Sequence, residues 1–402
     1  MSRLEEKIPM LDLRTQHADL QDELLEGFSA VLDSTRFILG DAVESFEADL
    51  AARCGAGFAL GCNSGTDALW LALRGLGIGP GDAVLCPAFS FFATAAAIVR
   101  VGARPIFADI HPATFNLDAE DAIRRAEQVP NLRAIISVDL FGRVCELGPL
   151  ESYCRDRGIH IIQDAAQSID ALDEMGQRIG SRSDIACFSF YPTKNLGALG
   201  DAGAVITDDP ELARSISRLR VHGESEPGVY HELGLNSRLD ALQAVALSIK
   251  LRHLADWTQA RRQLAAHYDS VFLEHGAVVA EHDADIPIRH DFLRGAKLPV
   301  LIPMQPSSPG VHTYHRYVIR VSAERRQELV EALARDSIDS AVFYSRGLHQ
   351  QPALEKFGPP SSDPLIETER ACRESLALPL FPELGIDRLE RVVAAVAACL
   401  IS

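Results

Sequence analysis

The sequence predicts an α/β protein: a large domain on a mainly parallel sheet over residues 1–250, then a smaller α+β domain over 251–402. Two observations carry that expectation. Up to about residue 250, short continuous apolar runs alternate with helix-length segments, the pattern of strands covered on both faces by helices. Beyond that point the character changes to a long charged stretch, a Pro- and Gly-rich segment with little periodicity, and a mixed tail of strands and helices.

Taken in order, apolar spacing predicts helices over residues 16–34 and 41–54. Residues 58–62 read as a strand, and a helix opens at Gly65. Further strands are expected at 83–87, 104–107, 134–138, 159–163 (ending at Asp164), 185–189 and 204–207, with helices running through Ile98 and over 146–157. Downstream, 251–275 reads as one long helix and 281–313 as a long loop or insertion. A strand is expected at 314–321, a helix at 323–335, a strand at 340–344 and a last amphipathic helix at 387–400.

Bulk properties narrow the function. The net charge of −17 over 402 residues argues against nucleic-acid or membrane-surface partners, which favour a basic face. It does not exclude a phosphorylated ligand, because a local anion site needs only a few backbone N–H groups. The eight cysteines form no C-x-x-C pair and have no histidines at zinc spacing, so no metal is expected and they read as reduced, mostly buried thiols of a cytoplasmic protein. The longest apolar run, near 89–99, is too short to span a bilayer, and the first residues carry no apolar signal core.

Four segments fall at strand–loop–helix junctions, where open α/β sheets bind ligands. Asn63-Ser64-Gly65-Thr66-Asp67 reads either as an ordinary N-cap or as a phosphate cradle, since Gly65 allows close backbone approach at a helix N-terminus. It is not a Walker loop, and no GxGxxG fits. Asp164, in Ile161-Ile162-Gln163-Asp164-Ala165-Ala166-Gln167, ends a buried strand; it is either structural or the partner of a cation such as a protonated pyridine nitrogen. Lys194 follows the next strand inside a glycine-closed loop with an aromatic flank, Phe188, Phe190 and Tyr191, and an amine there suits Schiff-base chemistry if its surroundings depress its pKa. A lone lysine is otherwise a solvated surface charge. In Ala88-Phe89-Ser90-Phe91-Phe92-Ala93-Thr94 an aromatic at the sheet edge suits stacking on a flat ring, with plain core packing preferred for Phe89 and Phe92.

The strings SGTDAL from Ser64, QDAAQS from Gln163 and SFYPTKNLGALGDAGAVIT from Ser189 resemble the sugar aminotransferases of the DegT/DnrJ/StrS family, which are fold-type-I pyridoxal-phosphate enzymes. So do FILGDAVESFE from Phe37, GLNSRLDALQA from Gly234 and HRYVIR from His315, and the likeness covers nearly the whole chain apart from about 280–312. The resemblance implies pyridoxal 5'-phosphate as cofactor and assigns roles residue by residue. Lys194 is the cofactor-linked lysine and proton carrier, Asp164 the partner of the pyridine nitrogen, and Gln167 the donor to the phenolic oxygen. Phe91 stacks on the ring. Gly65, Thr66 and Ser189 form the phosphate cradle, with Asn236 reaching it from a neighbouring subunit; Arg238, two residues on, would then lie near the same shared site, where it suits bidentate binding of a substrate carboxylate. It further implies a homodimer with shared active sites, a nucleotide-sugar substrate with a 3-keto or 4-keto group, and L-glutamate as donor. The GALGDAGAV string is similar to enzymes acting on 3-keto sugars. Two departures stand out: a YPxPLH-type motif is replaced by Tyr344-Ser345-Arg346-Gly347-Leu348-His349, and the segment at 280–312 is longer than usual. Three rival readings are a dehydratase of the same family, which goes with histidine in place of Lys194, a non-catalytic cofactor-binding regulator, and a dinucleotide oxidoreductase, which the missing fingerprint disfavours.

Overall fold

The computed structural model describes residues 6–279, 293, 296–358 and 363–401. The chain opens with helices α1 (Leu13–Ala18), α2 (Gln21–Ser34) and α3 (Asp41–Cys54). The single helix expected over 16–34 is therefore two, broken where Asp19 ends the first and Leu20 caps the second. Strand β1 (Phe58–Cys62) leads to α4 (Gly65–Gly75), β2 (Ala83–Pro87) to α5 (Phe92–Arg100), and β3 (Arg104–Ala108) to α6 (Ala119–Ala126). Then come β4 (Leu132–Val138), α7 (Gly148–Arg157), β5 (His160–Asp164), β6 (Ile185–Ser189), β7 (Gly203–Thr207) and α8 (Pro210–Leu219).

These strands form one seven-stranded sheet in the order β1-β7-β6-β5-β4-β2-β3. Only β7 is antiparallel, and it is so to both neighbours, β1 and β6; β1 through β6 therefore run in one direction. Their carboxyl ends share one edge, and every loop singled out above leaves from it. The strands are covered on both faces. In β6, Ile185 and Cys187 pack with Leu71, Ile136 and Ile162, while Ala186 and Phe188 face Phe46, Leu247 and Leu254. Alternate burial on two sides explains why these strands read as continuous apolar runs.

A small hairpin, β8 (Glu224–Glu226) and β9 (Val229–Tyr230), precedes α9 (Ala241–Leu251) and α10 (Leu254–Glu274). The long helix expected over 251–275 thus starts three residues late, after a turn closed by His253 N–H on the Lys250 carbonyl. A four-stranded sheet follows in the order β10 (Val278–Val279), β11 (Leu301–Ile302), β12 (Tyr317–Arg320), β13 (Ser375–Leu378), flanked by α11 (Ala323–Arg335), α12 (Ile366–Glu374) and α13 (Ile386–Ile401). Part of the expected 281–313 loop lies outside the described residues; the rest contributes β11. The strand expected at 340–344 does not form. β13 takes the place beside β12, and only Ala341 bridges Ala377 before the chain turns toward the large sheet. The second core stacks Tyr268 on Tyr317 with ring centroids 4.6 Å apart. It also takes in Ile8, whose backbone pairs with Ile338, so the start of the chain is fastened to the smaller layer. None of the described helices is long and apolar enough to cross a membrane.

Candidate active site

The first corner of the site is where β1 passes into α4. Ser64 caps the helix by accepting from the Asp67 N–H at 3.1 Å, which leaves the first-turn N–H groups of Gly65 and Thr66 without a helical partner. The backbone here is pressed against the sheet. Gly203 pairs with both Cys62 and Ser189, and a Cβ on it would lie 2.4 Å from the Ser64 carbonyl carbon. A Cβ on Gly65 would lie 2.6 Å from the Ser189 Cβ. The two glycines thus let a helix N-terminus and the Ser189 hydroxyl converge, and that combination of N–H groups and a hydroxyl suits a phosphate.

The second corner is Asp164 at the end of β5. It is buried, accepts the Thr94 hydroxyl at 2.8 Å, and accepts the Ala166 N–H at 3.3 Å. Ser90 Oγ lies 2.9 Å from the Thr94 hydroxyl and extends the chain of contacts. Burial raises the Asp164 pKa; the Thr94 and Ala166 donors and the charge of Lys194 oppose the rise. No arginine pairs with this carboxylate among the described residues, so it is a buried acid suited to a further cation. Behind it Asp139, fully buried, accepts from Ser168 at 2.7 Å, Gln163 at 2.9 Å and the Cys145 N–H at 2.9 Å, and burial pushes it up to about 7.

The third corner is Lys194. Its loop is closed by its own N–H on the Tyr191 carbonyl at 2.8 Å. Asn195 ties the loop to the smaller domain by donating to the Thr313 carbonyl at 2.9 Å and meeting His315 Nδ1 at 3.2 Å. Lys194 is not a solvated charge: burial brings its amine down to about 8, Asp164 holding it up and Arg316 pressing it lower. The electrostatic coupling of Lys194 with Asp164 joins two residues that the sequence separates by a strand.

Gln167 closes the fourth side. Its carbonyl accepts the Phe141 N–H at 2.8 Å, and its amide donates to the Tyr344 hydroxyl at 3.3 Å. Phe91 caps α5 with an exposed ring, 6.4 Å between centroids from Tyr344. Phe89 is core, stacked on Phe115, as expected; Phe92 is not, since it is 41% exposed. Position explains the difference, because Phe89 lies under the sheet edge and Phe92 opens the helix beyond it. Asn236 is exposed and is bridged through its backbone to Val221. Its neighbour Ser237 donates to Asn63 at 3.1 Å, which keeps this segment beside the Ser64–Gly65 corner without turning Asn236 inward. Arg238 is half-buried, and its Nε has no partner among the described residues. Thr94, Tyr344 and Arg316 carry no role in the sequence reading. The only signals available for them were a threonine one turn past Phe91, a tyrosine heading an altered motif, and a cation inside HRYVIR.

First-turn N–H groups beside the Ser189 hydroxyl, a buried acid that pairs with no arginine among the described residues, and an amine of lowered pKa fit pyridoxal phosphate, whose phosphate, ring nitrogen and carbonyl carbon need those three partners. Gly65, Thr66 and Ser189 would hold its phosphate and Asp164 its ring nitrogen. Among the described residues no cluster of His, Cys, Asp and Glu is arranged to hold a metal ion.

Comparison with known proteins agrees. Residues 18–397 match the DegT/DnrJ/EryC1/StrS aminotransferase family. A pleiotropic regulatory protein of Geobacillus stearothermophilus is 39% identical over 390 residues, covering 97% of this chain and 98% of its own. The dTDP-3-amino-3,4,6-trideoxy-alpha-D-glucose transaminase of Streptomyces venezuelae is 39% identical over 393 residues, covering 97% of this chain and 95% of its own. The crystal structure of S. venezuelae DesV in complex with a ketimine intermediate aligns with a TM-score of 0.86 at 37% identity, covering 98% of each chain.

Proposed function

The chain belongs to the DegT/DnrJ/EryC1/StrS aminotransferase family, and from that premise we propose that this pyridoxal-phosphate enzyme moves an amino group from L-glutamate to the keto carbon of a nucleotide-linked sugar. The 3-position is favoured over the 4-position, on the GALGDAGAV string and on the transaminase relative that acts at a 3-amino sugar. The observation that carries the reading is the meeting at one sheet edge of Asp164, which ends β5, and Lys194, in the loop after its neighbour β6.

When bound, pyridoxal phosphate supplies a carbonyl carbon that condenses with amines and a ring that takes up an electron pair. The residues of the chain do the rest. With its amine near 8, Lys194 is neutral in roughly one molecule in ten at pH 7, against a few in ten thousand for a solvated lysine. Lys194 would therefore be the residue that holds the cofactor's carbonyl carbon, and its free amine would move the proton at the donor's α carbon. Asp164 would keep the ring nitrogen protonated. Gln167, steadied by the Phe141 N–H and the Tyr344 hydroxyl, orients the phenolic oxygen. Phe91 would cover one ring face, and Thr66, Gly65 and Ser189 would anchor the phosphate. A homodimer with shared sites would bring Asn236 to the partner's phosphate, which suits its exposure here, and Arg238 to the substrate. The eight cysteines form no disulfide, which suits a reducing, cytoplasmic setting.

The test is the visible absorption spectrum of the purified protein before and after L-glutamate. A cofactor band that fades on adding glutamate, and that is missing from Lys194→Ala, is the expected result. A band indifferent to every amino acid tried would favour a cofactor-binding regulator, the reading that the regulatory relative supports. No band with added pyridoxal phosphate would sink both.

A further inference from the structure

The buried arginines of this protein are almost all matched. Arg143 pairs with Glu146 and Glu174, Arg125 with Asp121 and Asp363, Arg320 with Glu374, and Arg220 with Glu47. Arg261 spends its guanidinium on the Tyr314 and Leu380 carbonyls. Arg316 is different. It is half-buried, yet among the described residues it pairs with no carboxylate; one Nη reaches only the carbonyl of its own neighbour His315, at a long 3.4 Å, and the plane rests 5.3 Å from the centre of the Phe343 ring.

Its position is as telling as its lack of a partner. The Arg316 N–H donates to the Phe141 carbonyl at 3.3 Å, and the Phe141 N–H is the group that holds Gln167. Phe343, under the guanidinium, precedes the Tyr344 that Gln167 also touches. The charge acts on Lys194 and His315, lowering both. A guanidinium held on the Phe141–Gln167 and Phe343–Tyr344 side of the site, with no acid of its own among the described residues, is placed to take one from outside.

We propose that Arg316 is a carboxylate-binding subsite of the reacting pocket. The inference rests on the transaminase reading. Two ligands offer that chemistry: the amino-acid donor, and an acid group on the sugar. A planar fork binds a carboxylate through two N–H groups at once, which fixes the orientation of the bond to be broken as well as the affinity.

The experiment uses the holoenzyme with Arg316→Gln and Arg316→Lys. Binding of glutarate, a dicarboxylate that cannot react, is measured by calorimetry. Single-turnover reactions are followed with L-glutamate, and in reverse with nucleotide-linked amino sugars that bear either a hydroxymethyl or a carboxylate. If the donor is the source, Arg316→Gln weakens glutarate and raises the half-saturating L-glutamate concentration by roughly 30-fold or more, with both sugars unaffected. If the sugar is the source, the same loss falls on the acidic sugar alone. In either case Arg316→Lys, which keeps the charge, recovers part of the loss, and it decides the matter if Arg316→Gln does not fold. Wild-type affinities for every carboxylate in both variants would overturn the proposal and leave Arg316 a structural partner of Phe343. A wild-type protein that turns over with no amine would instead defeat the transaminase reading, while the glutarate arm would still report on Arg316.

Discussion

Thr94 donates its hydroxyl to Asp164 at 2.8 Å, inside the core and far from it in sequence. A hydroxyl aimed at a carboxylate favours the ionised form, and here it opposes the burial that favours the neutral one. Thr94→Val keeps the shape and removes the donor. Asp164 should then hold its proton to higher pH, and the acid limb of the kcat/KM profile should move up by about one pH unit, since a hydrogen bond to a charged group contributes ~1.5 kcal/mol or more. Thr94→Ser should leave the limb in place. A limb that stays put in Thr94→Val would mean that ionisation of Asp164 does not govern the rate.

The glycines at the first corner separate two roles that share one loop. Ser64→Ala removes the cap on Asp67 and should cost about 1 kcal/mol of stability with little change in cofactor affinity. Gly65→Ala drives a Cβ into Ser189, and Gly203→Ala drives one into Ser64. Each should displace the N–H groups from the phosphate, weakening pyridoxal phosphate by about tenfold or more at an overpacking cost of ~1–3 kcal/mol. Fluorescence titration of the cofactor-free protein reads both effects. Equal losses of affinity in all three variants would mean that the cap and the cradle are not separable.

The legible part of the site was the part that local sequence can mark. Apolar runs that stop at a polar residue announced the strand ends, so Asp164, Lys194, Ser189 and Gly65 could be placed on one edge from the order of elements alone. Thr94 could not, because its partner lies across the sheet and nothing local distinguishes it from a helix-surface threonine. The apolar run Ala341-Val342-Phe343 before Tyr344 suits a strand, but β13, a short run from Ser375, takes that place in the ladder. Pairing between segments distant in sequence decided the matter there, as it did for Ile8 with Ile338.

Asn236 is exposed, on a segment that Ser237 holds beside the Ser64–Gly65 corner, and its proposed role is to serve a second subunit. Mixing Asn236→Ala with Lys194→Ala subunits tests this. In a mixed dimer one composite site collects both lesions and the other neither, so random reassortment should restore about one working site in four. Activity that never rises above the two parents would place Asn236 outside any shared site.

Lys250 tests a different part of the design. It lies in α9, fully buried, with Nζ 2.9 Å from His17 Nε2 and donating to the Gly197 carbonyl at 2.8 Å, three residues beyond Lys194. Burial brings its amine down to about 8, against an ordinary 10.5, and burial together with the Lys250 charge lowers His17. Between those two pH values the unfolded chain holds a proton that the folded protein has released. Stability contributed through Lys250 therefore rises with pH across that window and is lowest below 8, where the folded state must bury the charge. Lys250→Met removes the titration but keeps the bulk. The stability of wild type minus that of Lys250→Met, measured by chemical denaturation, should climb from pH 7.5 to pH 10 by at most ~3 kcal/mol. A difference that is flat with pH would mean that Lys250 keeps its proton in the fold, and that its contact with His17 is an ordinary donor to a neutral imidazole.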